Sequence, residues 1–464
     1  MRSRAIIGAA TCLLVAPALA QAAGWVKVTA NGPSIDQVSL LRTADGKLHA
    51  AWHRHTSPLT EDLLDTTLSP SGKLLGTATI QSGWADIANP ALVQGPEGIR
   101  AFWGGIRTTA TEEPNQELNT AFSGDGGATW GLLTGSVVPI GAQAYGSPVA
   151  AATLPGGTPL QAWAGTLGTW VHSGLVPDAP NYDFQAPLGN YGYDTGLATD
   201  AAGRAVLAWY SNAAGHLGVH SQDVAADGSP VGAAVNFPGT ADMRVGQIGR
   251  TPIVARPGGG FYVAYATGSP TQKRIRLWKV GATGSTTIAR TTRDSYATLA
   301  ADDNGRLWIA WVGGSGGDPH ILARRSNPSG RVFGETVDAG RAGRSFKAYH
   351  LDASATERAL DILARFSVGT SSDAATHHTR ILPGLTLRSS RLRIPDGVET
   401  SVTFTVLDAG QPVKGARVRA AGESDTTNAS GRATLSLTGT DRILEARATS
   451  AGYVAAVREL RVVG

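Results

Sequence analysis

The chain has 464 residues, with a formal net charge of +4 at pH 7, 59 glycines, 24 prolines and 11 tryptophans. Basic and acidic residues are interspersed without blocks of one sign, which argues against a nucleic-acid-binding surface. The single cysteine, Cys12, excludes a disulfide framework and a thiolate metal site.

The first 23 residues have the pattern of a secretory signal peptide. Two arginines precede an apolar run from Ala5 to Ala18, and small residues suited to cleavage follow. The run is too short to remain in a bilayer as a helix, and no second apolar stretch reaches membrane length. We therefore expect residues 1–23 to be removed by cleavage between Ala20 and Ala23, and the mature protein to be extracellular, without a membrane span.

A hairpin pattern then recurs through residues 24–385. Each copy contains an apolar strand, a turn with a glycine five or six residues before an aromatic, and a second apolar strand ending on that aromatic. A further glycine-containing hairpin lies between successive copies, so each repeat holds four strands. The aromatics occur at intervals of 46 to 60 residues, and they are Trp52, Trp103, Trp163, Trp209, Tyr265 and Trp311, with a weaker copy ending at Phe366.

Four-stranded units arranged radially form a β-propeller, which leaves only short sheet edges unprotected. We therefore predict an all-β protein with a propeller of six or seven blades, seven being preferred. The weaker copy lacks a turn glycine, and the segment from Ala355 to Phe366 would also suit a helix because of its Ala, Glu, Arg and Leu content.

One turn carries a motif, "FSGDGGATW" at residues 122–130. A short Asp tolerates tight-turn geometry and accepts backbone N–H bonds, glycines admit positive φ, and a Trp can fill the gap between sheets. We interpret the motif as a fold-stabilising turn of an outer hairpin. Its defining residues are Ser123, Asp125, Gly127, Thr129 and Trp130.

This stretch matches the Asp-box, S/T-x-D-x-G-x-T-W/F, and the chain from about residue 25 to 385 resembles the sialidase superfamily of propellers. The resemblance implies an active site with three arginines for a sugar carboxylate, a Tyr nucleophile beside a Glu, and an Asp acid/base. The family's Phe-Arg-Ile-Pro motif is absent from the first repeat, which reads "NGPSIDQVSLLRT". A partial copy, Leu392 to Pro395, lies beyond the propeller. We therefore assign no catalytic residue.

Polar and aromatic residues precede or begin the first strand of each repeat, at positions that crowd one end of a propeller's channel. Such groups suit a sugar, whose hydroxyls form hydrogen bonds and whose C–H face stacks on rings. The alternative is that they satisfy strand ends and bury rings between blades. The candidate ligand-binding residues are Asp36, Asn89, Tyr145, Tyr193, Asp194, Arg250, Asp294, Tyr296 and Tyr349.

These observations favour a non-catalytic binding protein for glycans or another surface polymer. A sialidase-type exo-glycoside hydrolase and a structural or adhesive surface protein are the alternatives. The histidine pairs His53/His55 and His377/His378 have no further ligands at suggestive spacing, so we predict no metal and no cofactor. We expect a monomer that does not bind nucleic acid.

The repeat ends near residue 385, and residues 386–464 show alternating strands and tight turns. The stretches "GQPVKGARV" and "ATSAGY" resemble those of bacterial Ig-like and carboxypeptidase-regulatory-like modules. The resemblance implies a small β-sandwich that serves as a spacer, stabiliser or adhesive unit. Residues 383–397 are the expected linker.

Overall fold

The computed structural model describes residues 24–32, 38–57, 60–87, 90–107, 116–132, 149–165, 168–176, 179–184, 192–211, 213, 215–240, 250–267, 273–291, 296–315, 318–368 and 373–464. Strands and turns make up these residues, so the all-β prediction is confirmed for them. Over the same ranges, the structure contains no helix long and apolar enough to span a membrane.

The strands that precede residue 385 alternate with short turns. In chain order they are β1 (Val26–Lys27), β2 (Ser39–Arg42), β3 (Leu48–Ser57), β4 (Thr60–Leu68), β5 (Leu74–Ile87), β6 (Ala91–Gln94), β7 (Ile99–Arg107), β8 (Gln116–Ser123), β9 (Gly131–Leu132), β10 (Ala150–Thr153), β11 (Pro159–Gly165), β12 (Gly168–Ser173), β13 (Asn181–Asp183), β14 (Gly192–Thr199), β15 (Ala205–Ser211), β16 (Gly218–Val224), β17 (Pro230–Asn236), β18 (Ile253–Ala255), β19 (Phe261–Thr267), β20 (Lys273–Lys279), β21 (Ser285–Thr291), β22 (Ala297–Ala301), β23 (Leu307–Ser315), β24 (Asp318–Arg325), β25 (Val337–Asp338), β26 (Ser345–Ala355), β27 (Leu360–Val368) and β28 (Ala374–Ile381).

These strands pair as antiparallel meanders of four. The meanders β10–β13, β14–β17, β18–β21 and β22–β25 are separate sheets, while β2–β5 and β6–β9 are joined through the pairing of β5 with β7. Strands β26, β27 and β28 gain their fourth member from the start of the chain, because β1 pairs with β28. Val26 lies opposite His378 and Lys27 opposite His377 in that pairing.

The meanders are arranged around a common axis. The first strand of each contacts the first strand of the next along the chain, and β26 contacts β2, so these strands close a ring. A ring of four-stranded antiparallel sheets is the architecture of a β-propeller. Each first strand runs along the central channel, and we call the end at which these strands begin the mouth.

The repeat aromatics form the packing between sheets. Trp103, Trp163 and Phe366 are fully buried, and the remaining four are at most 4% exposed. One apolar cluster joins Phe184 of the third meander to Trp209 of the fourth. Each such ring removes about 150–250 Å² from water, which explains why the aromatic recurs in every repeat.

The weaker repeat is a strand and not a helix. Phe366 lies in β27, which pairs with β26 and β28 and is buried along its described length. A helix over 355–366 would leave the adjoining sheet without its central strand. Tertiary pairing therefore overrides local helix propensity here.

The chain after residue 385 forms two further sheets, which we call the C-terminal sandwich. The strands are β29 (Thr386–Ser389), β30 (Arg393–Pro395), β31 (Thr400–Asp408), β32 (Gln411–Pro412), β33 (Arg417–Ala420), β34 (Glu423–Thr426), β35 (Arg432–Leu437), β36 (Ile443–Thr449) and β37 (Ala456–Val463). One sheet contains β29, β31, β32 and β35, and the other has the order β30-β37-β36-β33-β34. A single apolar core that includes Phe404, Val418 and Leu460 lies between them.

The C-terminal sandwich contacts the propeller through a buried charge cluster. Asp408 accepts a hydrogen bond from Arg325 of β24, and its carboxylate lies 3.3 Å from the guanidinium of Arg306. The guanidinium of Arg325 lies between the rings of Trp308 and Tyr453, at 5.5 and 5.7 Å from their centroids. Arg325 and Asp408 are almost fully buried, so this contact is part of the folded core.

Candidate functional site

The central channel contains a cavity of about 170 Å³ near the mouth, lined by the beginnings of the first strands. Most lining groups are apolar or backbone, including Leu40, Leu92 and Leu299. Sites for small organic ligands usually measure roughly 300–1,000 Å³. The cavity described here is therefore smaller than that usual range.

Arg250 and Asp352 are the charged residues that line this cavity. The Arg250 guanidinium donates from Nε to the carbonyl of Val149 at 3.0 Å, and from Nη2 to the carbonyl of Pro90. Its Nη1 lies 3.7 Å from Asp352 Oδ2. The same carboxylate oxygen accepts the Leu40 N–H at 2.7 Å.

These contacts make Arg250 and Asp352 a clamp across the channel. Burial raises the pKa of the Asp352 carboxyl, and the positive charge of Arg250 opposes that rise. Burial likewise lowers the pKa of Arg250. The contacts of this pair link residues near the start of the first strands of several meanders. These contacts therefore hold the shape of the channel beneath the mouth.

An aromatic cluster lies beside the clamp. The ring centroids of Tyr296 and Tyr349 are 6.2 Å apart, and His350 lies 5.4 Å from Tyr296 and 5.5 Å from Tyr349. The guanidinium of Arg365 lies 4.9 Å from the Tyr349 centroid. Tyr296, Tyr349 and His350 are half-buried, whereas Arg365 is buried. We call these four residues the aromatic cluster.

Two mouth residues have unusual backbone conformations. His350 has φ of 50° within a bulge of β26, between the pairs Tyr349/Arg365 and Leu351/Ala364. Asp194 has φ of 55° at a bulge of β14. Positive φ in residues other than glycine stores strain of about 1–3 kcal/mol and concentrates at functional sites. In β26 the bulge turns His350 toward the two tyrosines.

The structure places the sequence-based candidates in different settings. Tyr296 and Tyr349 meet in the aromatic cluster, whereas Arg250 lies deeper in the clamp. Asp194 is buried, and its carbonyl accepts the Thr251 N–H at 2.8 Å. Tyr193 pairs with Tyr210 in the sheet, but its side chain is outside the described residues. The described residues do not include Asp36, Asn89, Tyr145 and Asp294.

Sequence reasoning missed three residues of this region: His350, Asp352 and Arg365. His350 reaches the cluster only because of the bulge, and Arg365 because β27 pairs with β26. One signal was present in the sequence, since Tyr349-His350 occupies the same repeat position as Tyr193-Asp194. Asp352 gave no local signal, because its partner Arg250 comes from a different meander.

The turn between β8 and β9 contains the "FSGDGGATW" motif at the end of the sheet opposite the mouth. Asp125 Oδ1 accepts the Thr129 N–H at 2.9 Å, and Oδ2 accepts the Thr129 hydroxyl at 2.6 Å. Ser123 Oγ donates to Asp125 at 2.8 Å and accepts the Gly127 N–H at 2.8 Å. Trp130 packs against the apolar cluster between the first two meanders. All bonds of the turn are internal, which agrees with a structural role.

The same turn covers a buried, hydrogen-bonded His–Asp pair of the preceding meander. His49 Nδ1 lies 2.8 Å from Asp65 Oδ2, and both side chains are at most 1% exposed. A Cβ at Gly127 would lie 2.5 Å from that Asp65 oxygen and 2.7 Å from the His49 ring. Gly127 is therefore needed for its φ of 86° and for its lack of a side chain.

A second turn repeats this arrangement. Gly72, in the turn between β4 and β5, has φ of 88°, and a Cβ there would lie 2.5 Å from the His378 ring. His378 Nε2 lies 2.9 Å from Asp361 Oδ1. The turn at 69–73 lacks the Asp and Trp of the motif, yet it covers a His–Asp pair in the same way. The glycine contact between neighbouring meanders is thus more general than the motif.

Two histidines of β3 share one carboxylate partner. His53 Nδ1 and His55 Nε2 lie 3.0 and 3.1 Å from the two oxygens of Glu61. Glu61 Oε2 accepts the Ile87 N–H at 2.7 Å as well. Both carboxylate oxygens are thus engaged by hydrogen-bond donors. Among the described residues, no group of three or more His, Cys, Asp or Glu side chains is arranged to hold a metal ion.

A larger pocket, of about 390 Å³, lies at the end opposite the mouth. The turns around Pro96 and Gly157 line it, together with Arg100, whose guanidinium lies 5.1 Å from the Phe122 centroid. None of the candidate residues lies there.

No family model and no curated protein matches the chain. Among solved structures, an α-L-arabinanase from Penicillium chrysogenum in complex with arabinobiose matches over 78% of this chain and 98% of its own, at 12% identity and a TM-score of 0.42. An ulvan lyase, from a new family of polysaccharide lyase, matches over 78% and 95%, at 12% identity and a TM-score of 0.43. A Trypanosoma rangeli sialidase matches over 78% and 59%, at 8% identity and a TM-score of 0.39.

Proposed function

We propose that this chain is an exported protein with a seven-bladed propeller over residues 24–385 and an Ig-like sandwich over residues 386–464. Seven first strands follow one another around the channel, and β1 completes the last sheet. The signal-peptide pattern of residues 1–23 supports export. The separate apolar core of the C-terminal sandwich supports the second domain.

We propose further that the propeller binds an extracellular glycan at the mouth. The observation that carries this proposal is the aromatic cluster, whose three half-buried rings contact one another beside the clamp. Aromatic rings can stack on the C–H face of a sugar, and the Tyr349 hydroxyl can exchange hydrogen bonds with the sugar hydroxyls. Strain at His350 is consistent with a residue held in place for contact.

Binding without cleavage is the reading that the charged residues support best. Of the residues that line the described part of the channel, only Arg250 is an arginine, and backbone carbonyls take its Nε and Nη2 hydrogens. A three-arginine grip on a carboxylate is therefore not assembled from the described residues. Asp352 lies 3.7 Å from Arg250, and its carboxylate also accepts the Leu40 N–H.

A glycan array on the full chain tests the proposal, followed by titration of the best ligand. We expect Tyr349→Ala to weaken binding by about tenfold, which is 1.4 kcal/mol and lies within the range for a lost ring contact. Tyr349→Phe retains the ring and should bind within about twofold of the wild type. Tyr182→Ala is the matched control, because it removes a half-buried tyrosine from the outer strand β13.

Three results would count against this function. An array without hits refutes glycan binding, and equal loss in Tyr349→Ala and Tyr182→Ala refutes the location. Release of a fluorophore from a sialic acid conjugate, or of sugar from the array ligand, would replace binding by glycoside hydrolysis if Tyr296→Phe or Tyr349→Phe abolished it.

A further inference from the structure

The exposed face of the sheet β30-β37-β36-β33-β34 is rich in arginine. Side chains alternate across this sheet, so Val418, Leu444 and Leu460 point into the core while their neighbours point to solvent. The outward positions include two acidic residues, Glu445 and Glu459. They also include five arginines, which are Arg393, Arg417, Arg419, Arg447 and Arg461. We call this surface the arginine face.

The strand register places like charges opposite one another on the arginine face. Arg419 lies directly opposite Arg447 in the pairing of β33 with β36. Arg393 lies directly opposite Arg461 in the pairing of β30 with β37. In an antiparallel pairing such as that of Arg419 with Arg447, opposed side chains have Cβ atoms about 4.5–5.5 Å apart, and like charges in such positions destabilise a sheet. A sheet selected only for stability would avoid both pairs.

Internal partners do not compensate for this repulsion. Arg417 donates to Ser424 Oγ at 3.2 Å. The ion pairs and side-chain hydrogen bonds formed among the described residues include no guanidinium of the two opposed pairs. The two glutamates lie opposite each other and form no ion pair with these arginines either. The five arginines and two glutamates leave a net excess of positive charge exposed.

The opposite face of the same sandwich is different. Its outward positions on β31 and β35 are mainly hydroxyl residues, with Thr403 opposite Thr434 and Ser401 opposite Ser436. Arg388 and Arg432 are the arginines there, and Thr405 lies between them in the pairing. Opposed arginines are thus confined to one of the two faces.

The arginine face stays accessible in the whole chain. The sandwich contacts the propeller through Asp408, Gln411 and Tyr453, which lie outside the strands of the arginine face. All five arginines are exposed in the presence of the propeller.

We propose that the arginine face binds an acidic polysaccharide. Guanidinium groups form planar, bidentate hydrogen bonds with carboxylates and sulfates, and they keep their charge at any physiological pH. Neighbouring outward residues lie about 7 Å apart along a strand and about 5 Å apart across strands, so the arginines form an array and not a single-ion site. Anionic groups along a linear chain fit such an array and relieve the repulsion within each pair.

The choice of a glycan over other polyanions rests on the proposed function of the propeller, and the surface itself goes beyond that function. Two glycan-binding surfaces on one chain would raise the effective concentration of a polymer at the second surface once the first is occupied. The chain could then bind the polymer tightly even if each surface alone binds it weakly.

The experiment measures binding of the full chain to dextran sulfate, with neutral dextran of equal length as the uncharged probe. We expect Arg419→Gln/Arg447→Gln to weaken dextran sulfate binding at least tenfold at low salt. The slope of log K against log salt should fall by about 2, since two ionic contacts are lost. The matched control, Arg388→Gln/Arg432→Gln, removes equal charge from the opposite face and should change binding less than twofold. Neutral dextran should show no difference between the variants.

The thermal midpoint of Arg419→Gln/Arg447→Gln should be equal to or higher than that of the wild type, because an opposed like-charge pair is removed. If the double variant does not fold, Arg419→Gln alone should show about half the change in slope. Equal losses in the test and control variants would overturn the proposal, as would unchanged binding in both. Binding of duplex DNA as tight as that of dextran sulfate would assign the face to nucleic acid instead. Tyr349→Ala should leave dextran sulfate binding unchanged, so failure of the propeller site and failure of the arginine face give different results.

Discussion

The contact between Gly127 and the buried His49–Asp65 pair leads to a prediction that separates backbone strain from packing. Gly126 and Gly127 are adjacent and both have positive φ, 72° and 86°. A Cβ at Gly126 would meet nothing within 4 Å, whereas a Cβ at Gly127 would lie 2.5 Å from Asp65 Oδ2. Alanine at either position therefore introduces the same kind of backbone strain, and only Gly127→Ala introduces a clash.

The expected magnitudes follow from these two contributions. A left-handed conformation costs an alanine about 1–2 kcal/mol relative to glycine, and we expect this loss for Gly126→Ala. Gly127→Ala carries the same strain and must also displace the buried, hydrogen-bonded His49–Asp65 pair. Disturbing such a pair adds about 1–3 kcal/mol. We therefore expect Gly127→Ala to lower the free energy of unfolding by about 2–5 kcal/mol.

Urea unfolding followed by tryptophan fluorescence measures both variants, since Trp130 and Trp52 lie near the turn and the pair. The informative quantity is the difference in midpoint between the two variants at equal m-value. If Gly126→Ala and Gly127→Ala lower the free energy of unfolding equally, then Gly127 is not in close contact with the His49–Asp65 pair. Our reasoning about the contact between meanders would then be wrong.

Three further predictions concern stability. Gly72→Ala should lower the free energy of unfolding in urea about as much as Gly127→Ala, because its Cβ would meet the His378 ring. A decrease no larger than that of Gly126→Ala would contradict this. Asp125→Ala should lower the melting temperature at pH 7. Hydrogen bonds from Thr129 and Ser123 lower the pKa of Asp125 to about 2, so its stabilising contribution is complete above the unfolded pKa near 4 and is lost as the pH falls through about 2. A gap between variant and wild type that persists unchanged at pH 2 would refute that cause. Asp408→Ala should cost about 3–5 kcal/mol in urea unfolding, because Arg325 remains buried without its carboxylate, whereas the exposed Asp425→Ala should cost much less.

The sequence predicted the repeat well because burial sets it. A strand between two neighbouring sheets needs apolar groups on both faces and a large ring at its end, so Trp209 and its equivalents recur with a visible period. The turn glycines are equally visible, because positive φ restricts the residue type. The Phe366 copy was ambiguous, since local composition favours a helix and only pairing with β26 and β28 decides the outcome.

The candidate site was predicted only in part. Tyr296 and Tyr349 were proposed from their repeat positions and their rings lie 6.2 Å apart, but the position of His350 depends on a bulge that no local pattern predicts. Arg250 and Asp352 meet across the channel, and Arg419 meets Arg447 across two strands; neither encounter can be read from residues so far apart in the chain. Periodicity reveals what each strand buries, whereas charge pairing depends on register and ring closure.

The pairing of β1 with β28 has a consequence for the order in which the protein is made. Val26 meets His378 only after about 350 further residues have emerged. Until then β1 has no partner strand, and unpaired strand edges invite pairing with other chains. The chain must therefore be largely complete before its final strands can close the ring. Truncation anywhere before residue 381 should leave an open, association-prone ring in place of a smaller propeller.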